Sequence, residues 1–408
     1  MKPYAMTPQA RAISGRGRPR DRTGPTASKG RLALCALVLG VLSIGGCQLQ
    51  EESPQRRLDG PHLTLKWTYD AGAPINQVPL RAADVVLVVP SGGPLVALDA
   101  QTGSLRWVFD PPRNVWERSY ATDGRLVFIG TAGGRLVGLE ARNGKPYWER
   151  ELGIEVQLPP LVHGKLLYVP TTFVGPGIQN NHDGRAKLFV LDASRGTERW
   201  SLETENYILQ TPTLKGETLY LAGNYNARDP VEQGGHTRMY ALQASDGGVR
   251  WTFKSQDGFP KSLYATDSAI AFIGYQDFVS GVDADTGLLR WRRDTGNWVP
   301  SLVGRGDNIY FGSANTVVHA LEVTSGDILW QHNIEHGTFN YVLGAPVLVE
   351  DELCFLTQQG DIMSLDALSG EVRWELSTGV VSRVGMRVSD GWIYIGDENG
   401  VLHAYSDS

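Results

Sequence analysis

Side chains able to do covalent or metal chemistry are few and scattered in this 408-residue chain, which has three Cys and eight His. Cys35, Cys47 and Cys354 are nowhere adjacent, and no Cys-x-x-Cys-His is present to attach haem. Phosphate loops, zincin motifs and nucleophile elbows are missing as well. His319 and His403 hold a position that other segments fill with Val96, Val137, Phe189 or Tyr240, so they read as strand residues and not as ligands. One mixed donor set, His182, Asp183, Asp229 and His236, gathers only if two separate loops meet. The expectation is no metal, no cofactor and no catalytic residue. Cys354, inside the apolar run LCFL, reads as a buried inert thiol. Arg305-Gly306-Asp307 spells an adhesion tripeptide but falls where another segment has the turn Thr122-Asp123-Gly124, so it reads as a turn.

Cys47 is the one residue with an evident covalent fate. Residues 1–46 hold eight Lys/Arg and one acid, and the apolar run LALCALVLGVLSIGG from Leu32 to Gly46 ends at Cys47. That run is shorter than the ~20 residues a membrane-spanning helix needs. A basic region, a short apolar region and small residues, in that order, make a secretory signal. Ile44-Gly45-Gly46-Cys47 resembles a bacterial lipobox, in which cleavage before the Cys is followed by lipidation of its thiol. The expected organisation is a lipoprotein signal peptide over 1–46, lipidated Cys47 with a flexible tether to 61, and a folded body over 62–408. Met1 and Met6 both stay open as the start. Gln48 stands where an Asp would signal inner-membrane retention. The expected location is therefore the periplasmic side of an outer membrane, or the outer face of the cytoplasmic membrane in a cell with one membrane.

The body carries a 40-residue period. With 48 Gly and 22 Pro the chain is too turn-rich for a helical bundle, and 41% apolar residues leave ample core. Without residues 1–46 it keeps 30 basic and 43 acidic side chains, a poor match for a phosphate backbone, so nucleic acid is excluded as a partner. An acid or amide, a Gly four residues on and a Trp four further on recur at Asp99/Gly103/Trp107, Glu140/Gly144/Trp148, Asp192/Gly196/Trp200 and Gln243/Gly247/Trp251. They continue at Asp283/Gly287/Trp291, Glu322/Gly326/Trp330 and Asp366/Gly370/Trp374. Between these lie short apolar, β-branched runs bounded by turn residues, the signature of small antiparallel sheets. The Gly suits a turn that needs positive φ, the acid can cap that turn, and the Trp offers flat apolar surface to the next repeat. After Trp374 three more strands follow without a Gly–Trp turn, and HLTLKW, ending at Trp67, supplies the missing fourth. The expected fold is all-β: an eight-bladed propeller of four-stranded antiparallel blades, closed by pairing the N-terminal strand with the C-terminal blade. A closed ring of this kind is expected to be monomeric.

Trp-to-Trp steps of 40, 41, 52, 51, 40, 39 and 44 place two insertions in blades 3 and 4, at 171–187 and 223–238, both between second and third strands. That hairpin opens on the face where inner strands begin, so the two insertions lie side by side. Opening residues on the same face include Gln77, Trp116, Arg118, Gln157, Gln210, Lys261, Trp298, Tyr341 and Arg383. Of these, Trp116, Arg118, Lys261, Trp298, Tyr341 and Arg383 have the aromatic and cationic character of a partner-binding hot spot; plugging of the channel by the aromatics is the alternative.

The Ala-x-x-x-Gly-x-x-x-Trp pattern following the acid resembles the repeat of the quinoprotein-type (PQQ-like) eight-bladed propellers, over about 62–406. Ala follows the acid at 100, 141, 193, 244, 284 and 367; Val323 departs, and looser docking is expected at that blade. Among lipidated members the arrangement is similar to the BamB family of outer-membrane protein assembly factors. That resemblance implies a non-enzymatic envelope scaffold whose partner is another envelope protein, BamA-like where an outer membrane exists. A small-ligand or glycan-binding propeller is the alternative, and a quinone (PQQ)-dependent dehydrogenase the third reading. Quinone enzymes of the family set adjacent cysteines beside the quinone, and no such pair exists here.

Overall fold

The computed structural model describes residues 58, 60–111, 113–172, 186–206, 208–225, 236–255, 262–274, 278–334, 341–342 and 344–407. Eight antiparallel sheets follow one another along the chain: blades 1 to 7 span 80–109, 115–151, 161–203, 208–255, 263–294, 302–333 and 347–377. Blade 8 takes three strands from 386–406 and its fourth, Thr64–Asp70, from the other end of the chain. There Thr64 pairs with Ser406 and Asp70 with Val401. Blade 4 has an additional two-residue strand, Ile208–Leu209, beside its second strand. Leu80–Ala82, the first strand of blade 1, touches Met386–Ser389, the first of blade 8, and so closes the ring.

Strand composition dictates the layering. Second strands such as Val85–Val88 and Leu126–Thr131 are almost wholly apolar and buried on both faces, because a neighbouring blade covers each face. Fourth strands such as Pro146–Glu151 and Leu289–Asp294 alternate between half-buried and exposed, because one face meets solvent.

One contact repeats around the ring. In blades 1 to 7 the turn between third and fourth strands contains a Gly at φ between 66° and 80°, a region that side-chain-bearing residues avoid. The Trp of the preceding blade packs over that Gly, so that a Cβ on Gly103 would lie 2.6 Å from the Trp67 ring. The indole N–H then donates to the main-chain carbonyl after the acid: Trp107 to Ala141 at 2.9 Å, Trp148 to Ala193 at 2.9 Å, Trp200 to Ala244 at 3.2 Å, Trp251 to Ala284 at 2.8 Å and Trp330 to Ala367 at 3.0 Å. Trp291 donates to Val323 at 2.7 Å. The looser docking expected at Val323 is thereby corrected. The acceptor is a backbone carbonyl, which a branched side chain leaves in place.

The acid works as expected and does more besides. One oxygen of Asp283 accepts the backbone N–H groups of Asp285 and Thr286, and its other oxygen accepts from Arg290. The Arg290 bond, followed by those from the turn, holds this carboxyl down at about 2. Arg106, Arg199 and Arg373 reach back in the same way to Asp99, Asp192 and Asp366, and Arg250 reaches Gln243. A bulge in the third-to-fourth pairing leaves this Arg out of the ladder; in blade 1 Trp107 pairs with Ala97 and Leu105 with Leu98, skipping Arg106.

Blade 8 lacks the Gly–Trp turn, and its neighbours substitute for it. A 3-10 turn at Gly60–His62 lays Gly60 against the Trp374 ring, with no room there for a Cβ. Leu58 and Leu63 are buried in the same cluster. The Trp374 indole has no following carbonyl and donates instead to the buried carboxylate of Glu352 at 3.0 Å, which also accepts from Ser364 at 2.7 Å. On the other side of the seam, the Ala100 carbonyl is taken by the Tyr394 hydroxyl at 3.0 Å, and the Trp67 indole N–H has no partner. Replacing Gly60→Val should overpack the Trp374 site and destabilise the ring by about 1–3 kcal/mol. Deleting 48–57, which precede all of these contacts, should leave the melting temperature of the parent. Differential scanning calorimetry separates the two, and a Gly60→Val protein as stable as the parent would remove Gly60 from the seam.

Candidate functional site

Antiparallel strands reverse at every turn, so the Gly–Trp turns share one face with the first-to-second-strand turns. The second-to-third hairpins share the opposite face with the segments leading into each blade. Arg305-Gly306-Asp307 is a first-to-second turn, with Gly306 at φ 56°, and lies away from the hairpin face. On the hairpin face the chain departs from regular pairing at the start of blade 2. Val115–Thr122 pairs Val115 with Thr131 and then Tyr120 with Ile129, so Trp116 to Ser119 stand out of the ladder.

Trp116, Glu117 and Arg118 wall a cavity of about 470 Å³ that runs from Gly92 in the blade 1 hairpin across the mouths of blades 2, 3 and 4. Trp116, Arg118, Gln157 and Gln210, four of the nine opening residues singled out from sequence, line it together. Gln77, Trp298, Tyr341 and Arg383 are not among its walls. Trp116 is held by its indole N–H, which donates to Glu155 Oε2 at 2.8 Å, while Glu155 Oε1 accepts the Gly133 N–H of the blade 2 hairpin at 2.8 Å. Burial pulls the Arg118 guanidinium below its ordinary pKa, and the neighbouring Glu117 opposes that shift. Gln210 is 3% exposed and its side-chain oxygen and nitrogen both lack a hydrogen-bond partner within the protein. Sequence reasoning missed Glu155, since an isolated acid in a loop carries no pattern.

The insertions meet this region at their bases. Thr172 forms bridges to both Glu155 and Ile208, and the Thr171 hydroxyl accepts the Lys187 N–H at 2.8 Å. Tyr225 pairs with His236 at the base of the second insertion. The interiors of both insertions lie outside the described residues, as do Cys47, Lys261, His182, Asp183 and Asp229; of His236 only the backbone is described. Among the described residues no group of three His, Cys, Asp or Glu side chains is placed to hold a metal. His319 is buried, stacks on Phe311 at 4.9 Å and hydrogen-bonds Ser313 and Gln331, with burial pulling it down to about 4. His403 contacts Asp397 at 3.0 Å. Arg383 is bound by Glu398 through 2.5 and 3.2 Å contacts, and that hydrogen bonding raises its pKa. The cation at 383 is thus already matched by an acid.

The chain matches the family described as "Outer membrane protein assembly factor BamB" over residues 58–154, 109–182 and 230–408. It is 24% identical to the BamB of Moranella endobia over 67% of this chain and 60% of that protein. To the BamB of Yersinia pestis it is 24% identical over 60% of this chain and 70% of that protein. The quinoprotein alcohol dehydrogenase PedH of Pseudomonas putida is 26% identical over 62% of this chain but 38% of its own length. Two solved structures share the fold: BamB of Moraxella catarrhalis, with a TM-score of 0.58 at 21% identity, covers 84% of this chain and 97% of its own. The quinohemoprotein alcohol dehydrogenase of Comamonas testosteroni, with a TM-score of 0.63 at 13% identity, covers 86% and 78%. Among the described residues Cys354 is the only cysteine, so no adjacent cysteine pair is present there. Cys354 lies fully buried in the strand Glu352–Leu356 of blade 7, its thiol pushed up to about 12 by burial, and has no cysteine neighbour.

The Glu155 carboxylate satisfies two donors at once, and a glutamine keeps only one acceptor. Glu155→Gln should therefore release Trp116 or the Gly133 N–H, at a stability cost of about 1–3 kcal/mol. Hydrogen exchange read at Gly133 should accelerate while exchange in Leu126–Thr131 stays slow. Unchanged exchange at Gly133 together with an unchanged tryptophan spectrum would show that Glu155 does not organise this face.

Proposed function

This chain belongs to the outer membrane protein assembly factor BamB family, and from that membership we propose that it is a non-enzymatic scaffold of the cell envelope that binds another envelope protein. The family match across most of the propeller carries the reading. The partner class comes from the printed description of the relatives, whose matched regions are 60% and 70% of their own lengths. A BamA-like assembly protein is the proposed partner. The proposed docking surface is the hairpin face, where Trp116 and Arg118 stand out of the blade 2 ladder beside the insertion bases. Lys261, Trp298 and Tyr341 complete the proposed surface, with Trp and Tyr as flat apolar anchors and Lys261 facing acidic or carbonyl groups, while Arg383 is engaged by Glu398. Residues 1–46 are proposed as a lipoprotein signal peptide and 47–57 as a lipidated tether that anchors the ring to the membrane; the tether expected to reach 61 is shorter, because Leu58 and Gly60 pack against Trp374.

Anchoring is tested by Cys47→Ala. The variant should take up no labelled fatty acid and accumulate as precursor, and labelling equal to wild type would remove Cys47 from the anchor.

Docking is tested by charge reversal on the two faces. Lys261→Glu should weaken capture of the BamA-like partner by about thirtyfold, a hot-spot loss of ~2 kcal/mol, without lowering the melting temperature. Arg305→Glu with Asp307→Lys, on the opposite face, should leave capture intact. Loss of capture from the turn variant alone would reverse the assignment of faces.

A further inference from the structure

Exposed apolar side chains are not spread evenly around the ring. The residue two before the repeat Trp is exposed and apolar at Leu65, Leu105, Val249, Leu289, Ile328 and Val372, so single side chains at that position belong to the repeat. Three further exposed leucines do not. Leu288, 69% exposed, follows the turn Gly of blade 5, where the other turns have Ser104, Lys145, Thr197, Gly248, Asp327 and Glu371. Leu329 directly precedes the Trp of blade 6, a position held elsewhere by Lys66, Arg106, Arg199, Arg250, Arg290 and Arg373. Tyr147 of blade 2 also departs there, but the Arg125 guanidinium stands over its ring at 5.1 Å. Leu368, 78% exposed, lies in the turn of blade 7 where the others have Gln101, Arg142, Ser194, Ser245, Asp285 and Thr324.

These three leucines fall on three consecutive blades, and each joins an apolar neighbour of the repeat, Leu289, Ile328 or Val372. Trp291 packs over Gly326 and Trp330 over Gly370, so the turns that carry them are held side by side. Monomeric proteins rarely leave several large apolar side chains together in water without a partner for them. The path of the chain identifies that partner. Leu58 is buried beside Trp374, and Gly60 lies against the same ring, where a following Gly–Trp turn would otherwise sit. Trp374 is two residues along its strand from Val372, so the chain enters the ring, coming from Cys47, at the blade 7 end of this patch. Eleven residues, 47–57, separate the lipid from that point, a reach of at most about 40 Å. The exposed acids Asp285, Asp327 and Glu371 in the same turns favour a zwitterionic lipid surface over an anionic one.

We propose that the turn corner of blades 5 to 7 rests on the lipid bilayer, with Leu288, Leu329 and Leu368 entering the boundary between headgroups and acyl chains. The inference rests on the lipid anchor at Cys47 and gives the anchored ring an orientation. The hairpin face, on the opposite side, stays open to the partner. For the test, processed chain carrying Leu368→Cys is labelled with a thiol-reactive fluorophore and reconstituted in vesicles of phosphatidylethanolamine and dibrominated phosphatidylcholine. Cys354 is buried and the lipid blocks Cys47, so mass spectrometry should find one dye per chain. That dye should lose about half its emission relative to unbrominated vesicles, whereas a dye on Arg142→Cys, in the equivalent turn of blade 2 across the ring, should lose none. Leu288→Ser with Leu329→Ser should abolish the difference between the two sites and, both side chains being exposed, should melt with the parent. Equal quenching at 368 and 142, or quenching at 368 indifferent to the serines, would overturn the proposal. So would efficient disulfide cross-linking of unlabelled Leu368→Cys chains to one another, which gives the patch to a second copy. Two dyes per chain would show Cys47 free of lipid and remove the anchor together with this surface, whereas one dye without quenching removes the surface alone.

Discussion

A tryptophan ring packed over a glycine that has no side chain is the contact on which the architecture depends. A single four-stranded blade has two apolar faces and can cover neither by itself. Each fourth-strand Trp carries its blade onto the next, and the positive φ of the receiving Gly keeps that surface bare. The indole N–H bond to a main-chain carbonyl fixes the angle of approach, and a carbonyl is available whatever side chain stands there. This is why the Val323 blade docks as closely as the others. Repetition of one contact leaves the opposite face unconstrained, and both long hairpins are found on that face.

The seam departs from the repeat because blade 8 has no turn to receive Trp374 and its outer strand comes from elsewhere. Three local substitutions make up the difference: Gly60 covers the ring, Glu352 accepts the indole proton, and Tyr394 takes the Ala100 carbonyl. The buried Glu352 carboxylate is tolerable because Ser364 and Trp374 donate to it and Arg373 stands 3.5 Å away. Gly60 and Glu352 stand outside the repeat, whereas Tyr394 holds a second-strand position also filled by Tyr168, Tyr220 and Tyr310, and each acts at a boundary of the blade that the repeat leaves incomplete.

Sequence spacing was sufficient for the fold because its controlling contact is written as a fixed interval of Gly and Trp. The interval also told which strand was missing and where the chain would supply it. The Arg before five of the eight repeat Trp residues was legible in principle, standing at 106, 199, 250, 290 and 373, but its role depends on a bulge that spacing alone does not disclose. Gly60 and Glu352 carried no pattern, since each occurs once. For the candidate site, residue type put Trp116, Arg118, Gln157 and Gln210 on one face, whereas the register break after Val115 decided that they share a cavity. Burial of an unpaired amide at Gln210 is a property of packing and has no sequence signal.

Pairing the first strand with the last makes the ring a reporter of its own completeness. Thr64 meets Ser406 across 342 positions of chain, so the outermost ladder of blade 8 forms only after the last strand has been made. Until then seven blades stand as an open arc with two bare flanks, the state most exposed to proteases and to association with other chains. Loop-closure entropy rises only slowly with length, so the long interval delays the final step far more than it weakens the product. A chain cut short by a few residues would lose the closure of the whole circle, and quality control need inspect only the gap.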